Sequence, residues 1–97
     1  MRNELLDTAD KVWNTGQHLN GYYTENFEKV IAERCDRKYA ISVNSGTQAL
    51  IFAIRALQLP FRSKIAMPAL SFIATLNSVL ESNFVPHLID VDKDGLI

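Results

Sequence analysis

Residues 39–57 read Tyr39-Ala40-Ile41-Ser42-Val43-Asn44-Ser45-Gly46-Thr47-Gln48-Ala49-Leu50-Ile51-Phe52-Ala53-Ile54-Arg55-Ala56-Leu57. The first five are apolar or β-branched and read as a short strand. Asn44-Ser45-Gly46 breaks it. Thr47 to Leu57 then reads as a helix that is apolar nearly all round, the pattern of a helix covered on most sides. A strand passing through a Gly-containing turn into an apolar helix is the opening of a βα unit. Two more strands follow: Lys64-Ile65-Ala66-Met67, ended by Pro68, and Val85 to Ile89, in which Pro86 restricts pairing. Between them, Ser71 can cap a helix from Phe72 to about Ser82, with Ile73, Leu76, Val79 and Leu80 inward. Strands alternating with helices of about ten residues predict an α/β fold with a mainly parallel sheet and right-handed crossovers.

Upstream of this β-α-β-α-β series the sequence predicts two helices. Leu5, Leu6, Ala9, Val12 and Trp13 share one face of the first, with Gly16 as its stop. Thr15 to Tyr23 reads as a loop. Thr24 can cap the second helix, whose apolar face is Phe27, Val30, Ile31 and Cys35, and Asp36-Arg37-Lys38 ends it. The expected organisation is a leading helix and loop over residues 1–23, a helix over 24–38, and the start of a sheet over 39–97.

The chain has 97 residues, 47% apolar and 22% charged, with a net charge of −1. That balance gives no basic footprint for nucleic acid and no basic face for an anionic membrane. Its longest apolar run, Ala49 to Ile54, falls far short of the roughly 18 residues of a membrane span. The first seven residues carry acids where a signal peptide needs an apolar run. One cysteine, Cys35, forms no internal disulfide, and it reads as an inert thiol on an apolar helix face. These features point to a reducing, cytoplasmic compartment.

Ligands of parallel sheets bind outside the carboxyl ends of the strands, and three motifs lie there. Ser45-Gly46-Thr47-Gln48 opens a helix whose first N–H groups are unpaired and carry partial positive charge, a ready place for a phosphate. Gly46 admits close approach, and the Ser45 and Thr47 hydroxyls can add donors. The same four residues also match a capping box, in which Ser45 caps the helix and Gln48 reaches back. Phe72 opens the next helix, where its ring can stack on a flat heterocycle or simply fill core. Asp90-Val91-Asp92-Lys93-Asp94-Gly95-Leu96-Ile97 spells the first eight positions of a calcium loop, but Pro86 and a strand-like segment stand where the entering helix belongs. The other reading is a polar turn after a strand. Tyr22 and Tyr23, in the Gly/Asn-rich loop, are candidate substrate contacts or packing for that loop.

Gly21, Phe27-Glu28, Lys38-Tyr39-Ala40-Ile41, Asn44-Ser45-Gly46-Thr47 with Ala49-Leu50, Pro68, Ser71-Phe72-Ile73-Ala74-Thr75, Asn77, Pro86 and Asp90-Val91-Asp92 follow in order. From about Gly16 onward the chain resembles the N-terminal part of the DegT/DnrJ/EryC1/StrS aminotransferases. The resemblance implies a partial PLP-transferase fold of type I, like aspartate aminotransferase, and pyridoxal 5′-phosphate as cofactor. Ser45, Gly46 and Thr47 would hold the cofactor phosphate, and Phe72 would stack on its pyridine ring. The implied reaction carries an amino group from an amino acid, usually glutamate, to a keto-sugar nucleotide, in a homodimer. A dehydratase branch of the same family and a non-enzymatic calcium or small-ligand module are the alternatives.

Two departures accompany the resemblance. Phe61-Arg62-Ser63-Lys64 stands where the family carries a Gly-Asp-Glu turn. The family's Schiff-base lysine, and the aspartate that pairs with the pyridine nitrogen, come after the matched region. None of Lys11, Lys29, Lys38, Lys64 and Lys93 matches that lysine, so no catalytic residue is assigned, and the chain alone is expected to be inactive. Three strands with no helix after the third fit an N-terminal fragment of a larger cofactor-binding domain.

Overall fold

The computed structural model describes residues 1–96. Two compact units divide the chain, Met1–Ser42 and Val43 onward.

The first unit holds two helices. Helix α1 (Arg2–Thr15) ends at Gly16, whose φ of 67° is left-handed and whose N–H donates to the Trp13 carbonyl. Such a cap favours glycine, because a side chain in that conformation crowds the following carbonyl. Its apolar stripe stays exposed, and Trp13 lies against His18 with ring centroids 5.0 Å apart. Helix α2 (Tyr22–Arg34) starts two residues before the predicted Thr24, with Gly21 as N-cap. Tyr22 and Tyr23 are therefore helical rather than in a loop, and their rings meet edge to face at 5.4 Å. Beyond α2, Arg37 N–H donates to the Ala32 carbonyl and Asp36 N–H to that of Glu33, closing the helix through a left-handed Asp36. Ala32 is the buried residue of α2. Cys35, expected on a covered face, is exposed, as are Phe27 and Val30 on that face.

The second unit contains α3 (Gly46–Ala56), β1 (Lys64–Pro68), α4 (Ile73–Glu81) and β2 (Val85–Ile89). β1 and β2 pair in parallel, with Lys64 opposite Val85 and Pro68 opposite Ile89. Residues Lys64 to Ile89 thus form one β-α-β crossover, as the alternation predicts. The turn into β1 closes when Ser63 donates both its N–H and its hydroxyl to the Pro60 carbonyl. Val85 N–H donates to the Ser63 carbonyl, and Ala69 N–H to that of Ile89. Parallel strands send alternate residues to each neighbour, so Val85, His87 and Ile89 bond toward β1. Pro86 and Leu88 face away, and on β1 Lys64, Ala66 and Pro68 do the same. Neither proline removes a ladder bond.

The predicted strand at Tyr39 to Val43 does not form. A strand is defined by its neighbour, and the sheet of the described residues has two strands, β1 and β2. What holds the segment instead is Glu28, whose Oε1 accepts both the N–H and the hydroxyl of Ser42, each at 2.7 Å.

The buried residues of the second unit are Ile51, Met67, Ala74 and Val79, with Ser78 and Ser82 among them. On α3 only Ile51 is buried, at 2% exposure, while the neighbouring Phe52 is 51% exposed. The expected cover on most sides is not supplied by the described residues. On α4 the inward stripe is Ala74, Ser78 and Ser82, spaced by four, beside Val79. Ile73 and Leu80, predicted inward, point outward. The small residues are what let α4 come close to α3.

Candidate functional site

The irregular segment at residues 43–45 leads directly into α3. Ser45 is its N-cap, in extended conformation, and its hydroxyl accepts the Gln48 N–H at 3.3 Å. That is half of the expected capping box. Among the described residues, no bond from the Gln48 side chain back to Ser45 completes it. Ala49 N–H donates to the Ser45 carbonyl. The N–H groups of Gly46 and Thr47, and the Thr47 hydroxyl, are left without a hydrogen-bond partner among the described residues. Three donors thus lie in the first turn of α3, where the helix dipole is positive. A Cβ built on Gly46 would meet nothing within 4 Å, so the space in front of this backbone is open.

Phe72 is the N-cap of α4 rather than its first helical residue, and its ring is 77% exposed. Ser71, expected to cap α4, instead pairs its hydroxyl with that of Thr75 at 2.8 Å. The two helix starts share an open groove of about 600 Å³ lined by Gly46, Thr47, Leu50, Phe72, Ala74 and Thr75. Three of the predicted residues, Gly46, Thr47 and Phe72, are therefore neighbours around one space. Ser45 stands just behind it, with its oxygen committed to the cap. Sequence reading missed Thr75, whose place one turn into α4 was the available signal.

Tyr22 and Tyr23 line a different, smaller groove in the first unit, with Lys11, Val12, Thr15 and His18. The aspartate run is a turn. Asp92 Oδ1 accepts the N–H groups of Asp94 and Leu96, and Asp90 Oδ1 accepts that of Val91. Ile97, the last position of the calcium-loop match, lies outside the described residues. Among the described residues no group of three or more His, Cys, Asp or Glu is gathered as a metal site. No helix among them is long and apolar enough to cross a membrane.

The groove pairs free N–H donors and a hydroxyl with an exposed aromatic ring. An α/β chain with this feature is equipped for a ligand that joins an anionic group to a flat ring. The whole chain, residues 1–97, matches the DegT/DnrJ/EryC1/StrS aminotransferase family, and it belongs to that family. It is 39% identical over 89 residues to the 3-oxo-glucose-6-phosphate:glutamate aminotransferase of Bacillus subtilis, a match covering 92% of this chain and 20% of that protein. It is 34% identical over 91 residues to GDP-perosamine synthase of Caulobacter vibrioides, covering 94% of this chain and 24% of that one. Among solved structures, NtdA of Bacillus subtilis with bound cofactor PMP matches with a TM-score of 0.87 at 39% identity, over 93% of this chain and 21% of NtdA. An aminotransferase from Psychrobacter cryohalolentis matches at 0.79 and 32% identity, over 90% and 22%. The chain spans about a fifth to a quarter of the length of these relatives.

Proposed function

We propose that this chain supplies the cofactor-holding groove of a pyridoxal-phosphate-dependent aminotransferase that aminates a keto-sugar. The observation that carries the reading is the groove in which Gly46, Thr47 and Phe72 meet. The N–H groups of Gly46 and Thr47 and the Thr47 hydroxyl bind the cofactor phosphate. Phe72 lies against the ring and fixes its plane. Ser45 holds the turn in shape by capping α3. When bound, pyridoxal phosphate supplies the electron sink, and the protein supplies binding and orientation. The amino donor is an amino acid, glutamate in the first instance, as the name of the Bacillus subtilis relative supports. The acceptor is a keto-sugar carrying a phosphate or a nucleotide, since the relatives' names include both. The working enzyme is a homodimer, the assembly implied by the family resemblance. The 97-residue chain does not transaminate alone, because none of its lysines matches the Schiff-base position.

The test is a titration of the chain with pyridoxal phosphate followed by amide spectroscopy. Shifts should concentrate at Gly46, Thr47 and Gln48 and at the Phe72 ring. Hydrogen bonds to charged groups contribute about 1.5–3 kcal/mol, so Thr47→Ala should weaken binding roughly tenfold to a hundredfold. Shifts confined to other residues, or a Thr47→Ala variant binding as well as the parent, would overturn the assignment. Borohydride treatment of the mixture should leave no single lysine stoichiometrically modified. A stoichiometric adduct at one lysine would refute the claim of inactivity.

A further inference from the structure

We infer that Ser78 is a positioning residue for this groove. Its small buried side chain sets how closely α4 approaches the first turn of α3. That approach fixes the spacing between the Gly46 and Thr47 donors and Phe72. The inference rests on the proposed cofactor role of the groove.

Ser78 is fully buried, at 0% exposure, in the middle of α4. Its hydroxyl donates to the Ala74 carbonyl at 2.6 Å, one turn back. A serine hydroxyl has one proton, so that bond uses it. The Thr47 carbonyl lies 3.5 Å from the same oxygen, too far for a second strong bond and close enough for packing contact. Thr47 is the residue that carries two of the three free donors. Ala74, one turn before Ser78 on the same stripe, lines the groove itself. The stripe therefore touches the phosphate-facing turn at Ser78 and the ring-facing side at Ala74. Packed interiors do not absorb added atoms without moving backbone. A larger side chain at position 78 pushes on the Thr47 carbonyl and displaces the N–H of the same residue. Hydrogen bonds to a phosphate lose their geometry over a few tenths of an ångström to one ångström. Size at position 78, rather than the hydroxyl, is what the groove requires.

Ser82 provides the control. It is buried on the same stripe one turn farther on, beside Glu81, whose carbonyl accepts from Arg55 Nη2 at the far end of α3. Ser78→Ala, Ser78→Val and Ser82→Val are compared for pyridoxal phosphate affinity, together with the Gln48 amide shift, which reports the peptide that Thr47 O belongs to. Ser78→Ala should bind within about twofold of the parent. Ser78→Val should bind at least tenfold more weakly and move the Gln48 amide. Ser82→Val adds the same volume and should leave both readouts within twofold. If Ser78→Val does not fold, Ser78→Cys, with a smaller added volume, should weaken binding at least threefold. An unchanged affinity in the enlarged Ser78 variant, or an equal loss in Ser82→Val, overturns the positioning role and leaves the cofactor reading standing. Failure of the parent chain to bind pyridoxal phosphate at Gly46 and Thr47 overturns both.

Discussion

Replacing Ile51 and Phe52 by alanine, one at a time, separates what is apolar on α3 from what is packed. The two residues are adjacent, yet Ile51 is 2% exposed and Phe52 51% exposed. Ile51→Ala removes three carbon groups from a closed environment, at about 0.8 kcal/mol each for transfer alone. The cavity left behind adds to this, and buried isoleucine-to-alanine changes span about 2–5 kcal/mol. Phe52→Ala removes a larger side chain that is only half covered. Its burial contributes about half of the roughly 3 kcal/mol of a fully buried ring. Alanine's better helix propensity returns about 0.5 kcal/mol. The expected costs are therefore about 3 kcal/mol for Ile51→Ala and about 1 kcal/mol for Phe52→Ala. Urea unfolding monitored on the second unit reads both, provided the m-value stays constant. Equal costs, or a larger cost for Phe52→Ala, would refute the assignment of Ile51 as the anchor of α3.

Two further outcomes follow from the first unit. Gly16→Ala should lower the protection of the last turn of α1 against amide exchange by about 1 kcal/mol, because its φ of 67° disfavours a side chain although a Cβ there meets no atom; Gly16→Asn should cost less, and equal protection in the alanine variant would remove the argument. The carboxyl of Glu28 is held below the usual glutamate range, first by the Ser42 N–H and then by the Ser42 hydroxyl. A depressed folded value means that this tie is present above the unfolded carboxyl's pKa and is lost as pH falls through the folded one. Carbon-detected titration of Glu28 should give a midpoint below that of the same residue in the urea-unfolded chain, and an equal or higher midpoint would contradict the Ser42 contact.

The order of the helices and the β-α-β crossover were legible because each rests on local signals: Gly16 as a stop, Ser45 as a cap, and turns flanking short apolar runs. The candidate groove was legible for a related reason. Gly46, Thr47 and Phe72 each stand at a helix start marked by local turn and cap signals, although the strand that a parallel topology would place before α3 does not form. The strand at 39–43 was misread because strand character needs a partner that local pattern cannot supply, and Glu28 holds Ser42 in its place. On α4 the expected inward face holds at Val79 but not at Ile73 or Leu80, because burial there follows size rather than hydrophobicity. There the close approach of α3 selects Ala74, Ser78 and Ser82 for size and turns Ile73 and Leu80 outward. The same pressure hid Ser78, which bears no mark of function in the sequence alone.

The outward-facing prolines of the two strands have a consequence for self-association. A bare sheet edge is a template on which another chain can add a strand, and each outward N–H is one rung of that template. On β2 the outward positions are Pro86 and Leu88, so one rung in two is missing. On β1 they are Lys64, Ala66 and Pro68, with a charge at one end and a proline at the other. Neither side of this small sheet offers an unbroken ladder to a stray strand. The same residues therefore cost the pairing of β1 with β2 nothing while removing rungs from the outward side of each strand.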